Sequence, residues 1–210
     1  MYTLYYSPGS CSMAIHIALN ECNQPVTLKK VDLMSGEQRS PEFMAINPRG
    51  QVPVLTDGKT VMREGAAILI HLYDKYNNPL LPKSEPARSQ AIEWLMFCNA
   101  TLHPAYARCF FIKRNISDPA AQEQAMTAAV SRLNDLWSDV EARLSNSPYL
   151  CGSQPTAADL LLTVIANWSG NVGKPVNIGS NTKRLLKEIS QRPAYQKAMQ
   201  AEQVEYQAAA

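Results

Sequence analysis

The sequence has no apolar run long enough to span a bilayer. Its longest, such as Leu160 to Ala166, fall far short of the roughly 18 residues required. It has no Lys/Arg block interleaved with aromatics, and its net charge of +2 is scattered, which argues against nucleic acid or an anionic membrane as partner. The N-terminus has no basic segment followed by an apolar stretch, so a cytoplasmic setting is expected. Five cysteines (Cys11, Cys22, Cys98, Cys109, Cys151) show neither CxxC nor zinc-finger spacing, and their odd number reads as reduced thiols. There is no HExxH, no glycine-rich phosphate loop and no carboxylate pair with hydrolase spacing, so no metal site is expected. Internal repeats and low-complexity segments are absent as well.

What remains is a 210-residue chain that is 46% apolar, long enough for one large domain or two small ones. Its two halves differ in period. Thr3 to Tyr6 reads as a strand, Cys11 to Cys22 as a helix and Val26 to Val31 as a second strand, which should pair in parallel with the first. A short helical turn over Pro41 to Ile46 follows. Val52 to Thr56 and Thr60 to Met62 then flank Asp57-Gly58, a type I′ hairpin signal. Gly65, Ile68, Leu69, Leu72, Tyr73 and Tyr76 place a helix next. This order, βαβ, helix, ββ, helix, is that of an α/β thioredoxin-like domain over residues 1–76.

Residues 77–84, with Pro79 and Pro82, read as a linker, and residues 85–210 as an all-helical domain. One stripe there runs Ile92, Leu95, Met96, Asn99, Leu102, Tyr106 and Phe110. Asp118-Pro119 starts the next helix, with Ala125, Ala129, Leu133, Leu136, Trp137, Val140 and Leu144 on one face. Asp159 to Ala166 is apolar nearly all round, as in a central buried helix. Thr156 with Asp159 forms a capping box before it. Two short helices, near Thr182 to Ser190 and Pro193 to Tyr206, close the chain.

Cys11 and Ser12 sit where a strand stops at Pro8-Gly9 and a helix begins. Free N–H groups and the helix dipole favour a thiolate there, and can lower a cysteine pKa from about 8.5. The alternative is a small first-turn residue without chemistry. Pro53 at a strand start, if cis, exposes the backbone of Val52 to an extended peptide ligand. Otherwise it marks an edge position. Glu64-Gly65-Ala66 opens a helix; Glu64 either complements the dipole or pairs with a ligand ammonium, while the Gly65 and Ala66 amides hold a carboxylate. Gln51 sits in the polar turn Asn47–Gln51 and could reach such a ligand. His103 lies on the helical stripe beside Pro104, which should kink the helix. Its two readings are a packed histidine and a pocket wall.

The segments Tyr5–Ser12, Asn47–Leu55, Glu64–Ile68 and Thr156–Asp159, in this order, resemble a cytosolic glutathione S-transferase of the bacterial beta class over essentially the whole chain. The resemblance implies glutathione as co-substrate on the N-terminal domain, a small hydrophobic electrophile beside it on the helical domain, and a homodimer. Cys11, Ser12 and Tyr6 match the sulfur side. Gln51, Val52, Pro53, Glu64, Gly65 and Ala66 match the peptide side, and His103 and Tyr106 the electrophile side. Beta-class relatives carry a lysine where this chain has Gly36, with Arg39 nearby, and often a second where it has Pro104. Two other activities fit the same fold: a glutathione-dependent disulfide or peroxide reductase using Cys11, and a non-enzymatic ligand carrier.

Overall fold

The computed structural model describes residues 1–209. Four strands form one sheet in the order β2-β1-β3-β4: β1 (Tyr2–Tyr6), β2 (Val26–Lys30), β3 (Val54–Asp57) and β4 (Thr60–Arg63). β1 and β2 are parallel, with Tyr2 opposite Val26, and the other two pairings are antiparallel. The parallel pair follows from the intervening helix α1 (Ser12–Glu21), because only a crossover of that length can return the chain in the same direction. β3 starts at Val54, two residues later than the sequence indicated. Pro53 has no N–H to give the ladder, so Val52 stays outside it. The Val52–Pro53 bond is cis. The β3–β4 loop is Gly58-Lys59, and of these two only Gly58 has a positive φ (59°). A type I′ turn needs two such residues, so that expectation is corrected.

Side chains alternate across β1. Tyr2, Leu4 and Tyr6 are buried toward α1 and α3 (Gly65–Lys75), and the Tyr2 hydroxyl meets that of Tyr76 at 3.0 Å. Tyr5 faces the other way and stacks edge-on against Phe43 of α2 (Pro41–Ile46), in a small cluster with Val31 and Val54.

α1 departs from its amphipathic reading. All eight residues from Ser12 to Leu19 are buried, including His16 and Ile17. The reason is α9 (Pro193–Glu202), which packs on α1 and covers its outer face. Contacts divide the chain into one unit of Met1–Lys83 with Gln191–Glu205, and a second of Ser84–Ser190 with the residues from Tyr206 on. The sequence had placed α9 in the helical domain of 85–210. Arg192 binds both carboxylate oxygens of Glu21 at 2.7 and 3.0 Å, an anchor 171 residues away in sequence that no local pattern reveals.

The second unit is helical. α4 (Ala87–Met96) runs through a π-helical segment, Phe97–Leu102, into α5 (His103–Asn115). Pro104 withholds an N–H there, and the wider π turn absorbs the defect expected as a kink. The buried stripe runs Ala91, Leu95, Cys98, Leu102, Ala105, Tyr106 and Cys109, with Ile92, Met96, Asn99 and Phe110 half-buried. α6 (Pro119–Ser145) starts on Asp118, whose carboxylate accepts from Ala121 N at 2.7 Å. α7 (Ala157–Ala166) is buried at all ten positions, and the Thr156–Asp159 capping box is formed. α8 (Ser180–Ser190) completes the bundle.

Candidate active site

The thiol turn, Ser7 to Ser12, joins β1 to α1. Cys11 is the N-cap of α1 and its own side chain does not cap the helix; the Ser12 amide donates to Ser10 Oγ at 3.3 Å and the Met13 amide to the Ser10 carbonyl at 3.0 Å. The Cys11 thiol is directed to the Val52 carbonyl at 3.6 Å, which brings α1 and the cis-proline edge together. Desolvation pushes this thiol up to about 11, although the backbone amides of Cys11 and Ser12 pull it down; the charge of Glu64 adds a further small rise. The expectation of an activated Cys11 is therefore corrected. The helix end acts in the anticipated direction, but the desolvation of the half-buried thiol outweighs it. A reductase working through Cys11 thus lacks a preformed thiolate.

Ser12 is completely buried. Its hydroxyl accepts the Ser7 amide at 3.1 Å, donates to the Ser7 carbonyl at 3.2 Å and bonds the Ser10 hydroxyl at 2.8 Å. It closes the turn and is not presented to a ligand, which corrects the reading of Ser12 as a sulfur contact. Tyr6 is also buried, and burial first, then the charge of Glu202, raises its phenol. It can offer a neutral hydroxyl but not a phenolate.

The next loop is organised by Asn47, a buried residue whose role the sequence did not single out. Its amide donates to the Gln51 carbonyl at 2.8 Å and its oxygen accepts the Arg49 amide at 3.2 Å. Gln51 itself is exposed. Gly50 has φ 63°, and a Cβ there would lie 2.9 Å from the Gln38 carbonyl, so only glycine fits. Arg39 donates to the Arg49 carbonyl at 3.4 Å and so reaches this loop, whereas Gly36 supplies only a left-handed turn (φ 83°).

Glu64 is the N-cap of α3 but caps nothing with its side chain. Its φ of 70° and ψ of 107° are unusual for a residue with a Cβ, and such strain collects at ligand sites. The carboxylate pairs with Arg49 at 2.9 Å, both side chains being about three-fifths exposed (61% and 62%). A pair this exposed is worth about 0–1 kcal/mol, so a ligand ammonium can compete for it. Gly65 and Ala66 then present the first amides of α3, again without a side-chain cap. Cys11, Val52 and Glu64 thus converge in one unit.

The helical unit holds the other two expected residues. Tyr106 is completely buried; its hydroxyl accepts from Trp137 Nε1 at 2.9 Å and bonds Ser169 Oγ at 2.6 Å. It packs this unit and does not line an open pocket, a correction that follows from its hydroxyl being taken by Trp137 and Ser169. His103 is half-buried and stacks edge-on against Trp168 at 4.9 Å. Burial lowers its pKa, so it is neutral at pH 7. With Phe110, 6.5 Å from Trp168, these rings form a half-buried aromatic face. Trp168 was missed because it follows α7 as an isolated aromatic. Among the described residues no group of three His, Cys, Asp or Glu is placed to hold a metal, and no helix is long and apolar enough to cross a membrane.

The chain matches the family models described as glutathione S-transferase, N-terminal domain, over residues 4–80 and C-terminal domain over residues 96–193. It is 30% identical over 203 residues to glutathione S-transferase GstA of Escherichia coli O157:H7, spanning 95% of this chain and 98% of that protein. The solved glutathione S-transferase of Xylella fastidiosa shares 30% identity and a TM-score of 0.89, covering 98% of this chain and 100% of that one. A Sulfitobacter glutathione transferase homologue with bound glutathione has a TM-score of 0.83 at 25% identity, covering 96% and 98%.

Proposed function

The chain belongs to the glutathione S-transferase family and is a transferase, and from that premise we propose how its residues hold glutathione and activate its sulfur. The carrying observation is the convergence of the Cys11 end of α1 and the start of α3, which has no side-chain cap, on the Val52 edge. Glutathione is an anionic, extended peptide, and each of its parts meets a fitting group. The Val52 backbone takes the central residue as an added strand. Gly65 and Ala66 amides take the γ-glutamyl carboxylate, and Glu64 takes its ammonium in place of Arg49. Arg39 supplies a cation for a carboxylate, in the role the lysine absent at Gly36 would have had.

The sulfur then lies at the start of α1, beside the Cys11 amide and the Tyr6 hydroxyl. Moving a thiol from pKa about 8.5 to below 7 takes about 2 kcal/mol. A helix start supplies about 0.3–2 kcal/mol, and a hydrogen bond to a charged acceptor about 1.5–3 kcal/mol. The two together suffice. The thiolate attacks a soft electrophile; with a chloronitrobenzene, the S–C bond forms, chloride leaves and the thiol proton passes to water. Within the helical unit, the aromatic face of His103, Phe110 and Trp168 is the surface suited to an apolar molecule. No metal takes part, and the protein works as a cytoplasmic homodimer.

The test is turnover of a chloronitrobenzene with glutathione by wild type and Cys11→Ala. Wild type turns over, and the variant keeps at least about a tenth of that rate, because the attacking sulfur belongs to glutathione. A loss of more than about a hundredfold, equivalent to about 2.7 kcal/mol in the barrier, would overturn this reading of Cys11.

A further inference from the structure

Glu202 lies at the end of α9, far in sequence from the thiol turn, and its side chain is completely inaccessible. One oxygen sits 2.9 Å from His16 Nδ1 on α1; the other accepts the Gly9 amide at 3.0 Å. A single carboxylate therefore bridges the turn and the helix it leads into. Just beyond, Val204 packs over the same spot: a Cβ on Gly9 would lie 3.5 Å from both Val204 methyls, and Gly9 has φ 66°.

We propose that Glu202 is a positioning residue for glutathione activation, holding the thiol turn through Gly9 so that the Cys11 amide at the start of α1 faces the ligand sulfur. The proposal rests on the assignment of this turn as the sulfur site. A buried charge–histidine pair is weak evidence for stability, since apolar side chains of similar size often serve as well. What apolar residues cannot supply is a directed acceptor for one backbone amide. Gly9 is followed by the Ser10 N to Ser7 O bond (3.1 Å) and the Met13 N to Ser10 O bond (3.0 Å), so fixing Gly9 fixes the start of α1. The sequence concealed this, because His16 has no local partner and Glu202 sits among exposed-looking residues.

The test uses Glu202→Asp and Glu202→Gln in the full chain, with Glu202→Ala as a third variant. Glutamine keeps the length of the side chain and one oxygen for the Gly9 amide; aspartate keeps the charge but is one methylene too short. The readouts are the ultraviolet absorbance of bound glutathione thiolate against pH, and kcat and KM for each substrate. For Glu202→Asp the bound thiol pKa is expected to rise by about one unit, with kcat at pH 6.5 down about tenfold and the electrophile KM unchanged. Glutamine should restore kcat to within about threefold of wild type. If Glu202→Ala does not fold, the Asp and Gln pair still decides. A folded Glu202→Asp with an unchanged thiol pKa overturns the proposal alone. A wild type that binds no glutathione overturns the parent reading and this one with it.

Discussion

The starts of α1 and α3 differ from those of α6, α7 and α8. In the helical unit the first amides are taken by side chains: Asp118 on α6, Asp159 and Thr156 on α7, and Glu141 on α8, whose oxygens accept from Asn181 N at 2.9 Å and Thr182 N at 2.8 Å. In the sheet-bearing unit, α2 is capped by Ser40, but Cys11 and Glu64 at the N-cap positions of α1 and α3 make no such bond, and only Ser10 Oγ, at 3.3 Å, takes a first amide there, that of Ser12. A helix end already closed by its own chain is a structural joint. One left open next to a peptide edge is, in the proposed binding mode, where the ligand's negative charge is received.

If that contrast holds, removing a cap from the helical unit should harm folding far more than chemistry. Asp159→Ala leaves the buried amides of Thr156 and Leu150 without their acceptor, now at 2.7 and 2.8 Å. The expected cost is about 2–4 kcal/mol, a drop in Tm of about 5–12 °C, with kcat/KM of the folded fraction within about twofold. Calorimetry and steady-state rates check it, and a Tm change below about 2 °C breaks the contrast.

The reverse substitution pattern belongs to α3. Glu64→Ala should raise the glutathione KM at least about tenfold, in line with about 1.5–3 kcal/mol for one charge-assisted contact, and move Tm by less than about 2 °C. Glu64→Gly should show the same KM defect yet a Tm higher by about 2–4 °C, because glycine relieves the strain at φ 70°. An unchanged KM in both would return Glu64 to a helix-dipole role.

The smallest effect concerns the thiol at the open end of α1. With its pKa near 11, Cys11 should alkylate slowly at pH 7 in the unliganded protein, the rate climbing about tenfold per pH unit toward that value. Mass spectrometry of iodoacetamide adducts over pH 7–10 reads this directly. A plateau below pH 8 would mean the helix end outweighs desolvation after all.

Local chemistry in the sequence determined a great deal. Alternation, turn residues and proline placement fixed β1, α2, α3 and the capping of α6 and α7. Val52-Pro53 and Glu64-Gly65-Ala66 were legible because each needs only its neighbours. Tertiary structure alone decided the rest. Whether Cys11 is a thiolate depends on how much water reaches it, which no spacing reveals. Ser12 and Tyr106 carry hydroxyls that look available in a sequence, yet each is satisfied inside its own unit by partners a turn or a helix away. α9 was read as part of the bundle because its pattern fits any helical surface. Its place on α1 rests on Glu21–Arg192 and His16–Glu202, contacts spanning 171 and 186 residues. Periodicity reports which face of a helix is apolar; it carries no record of which distant charge will be buried against it.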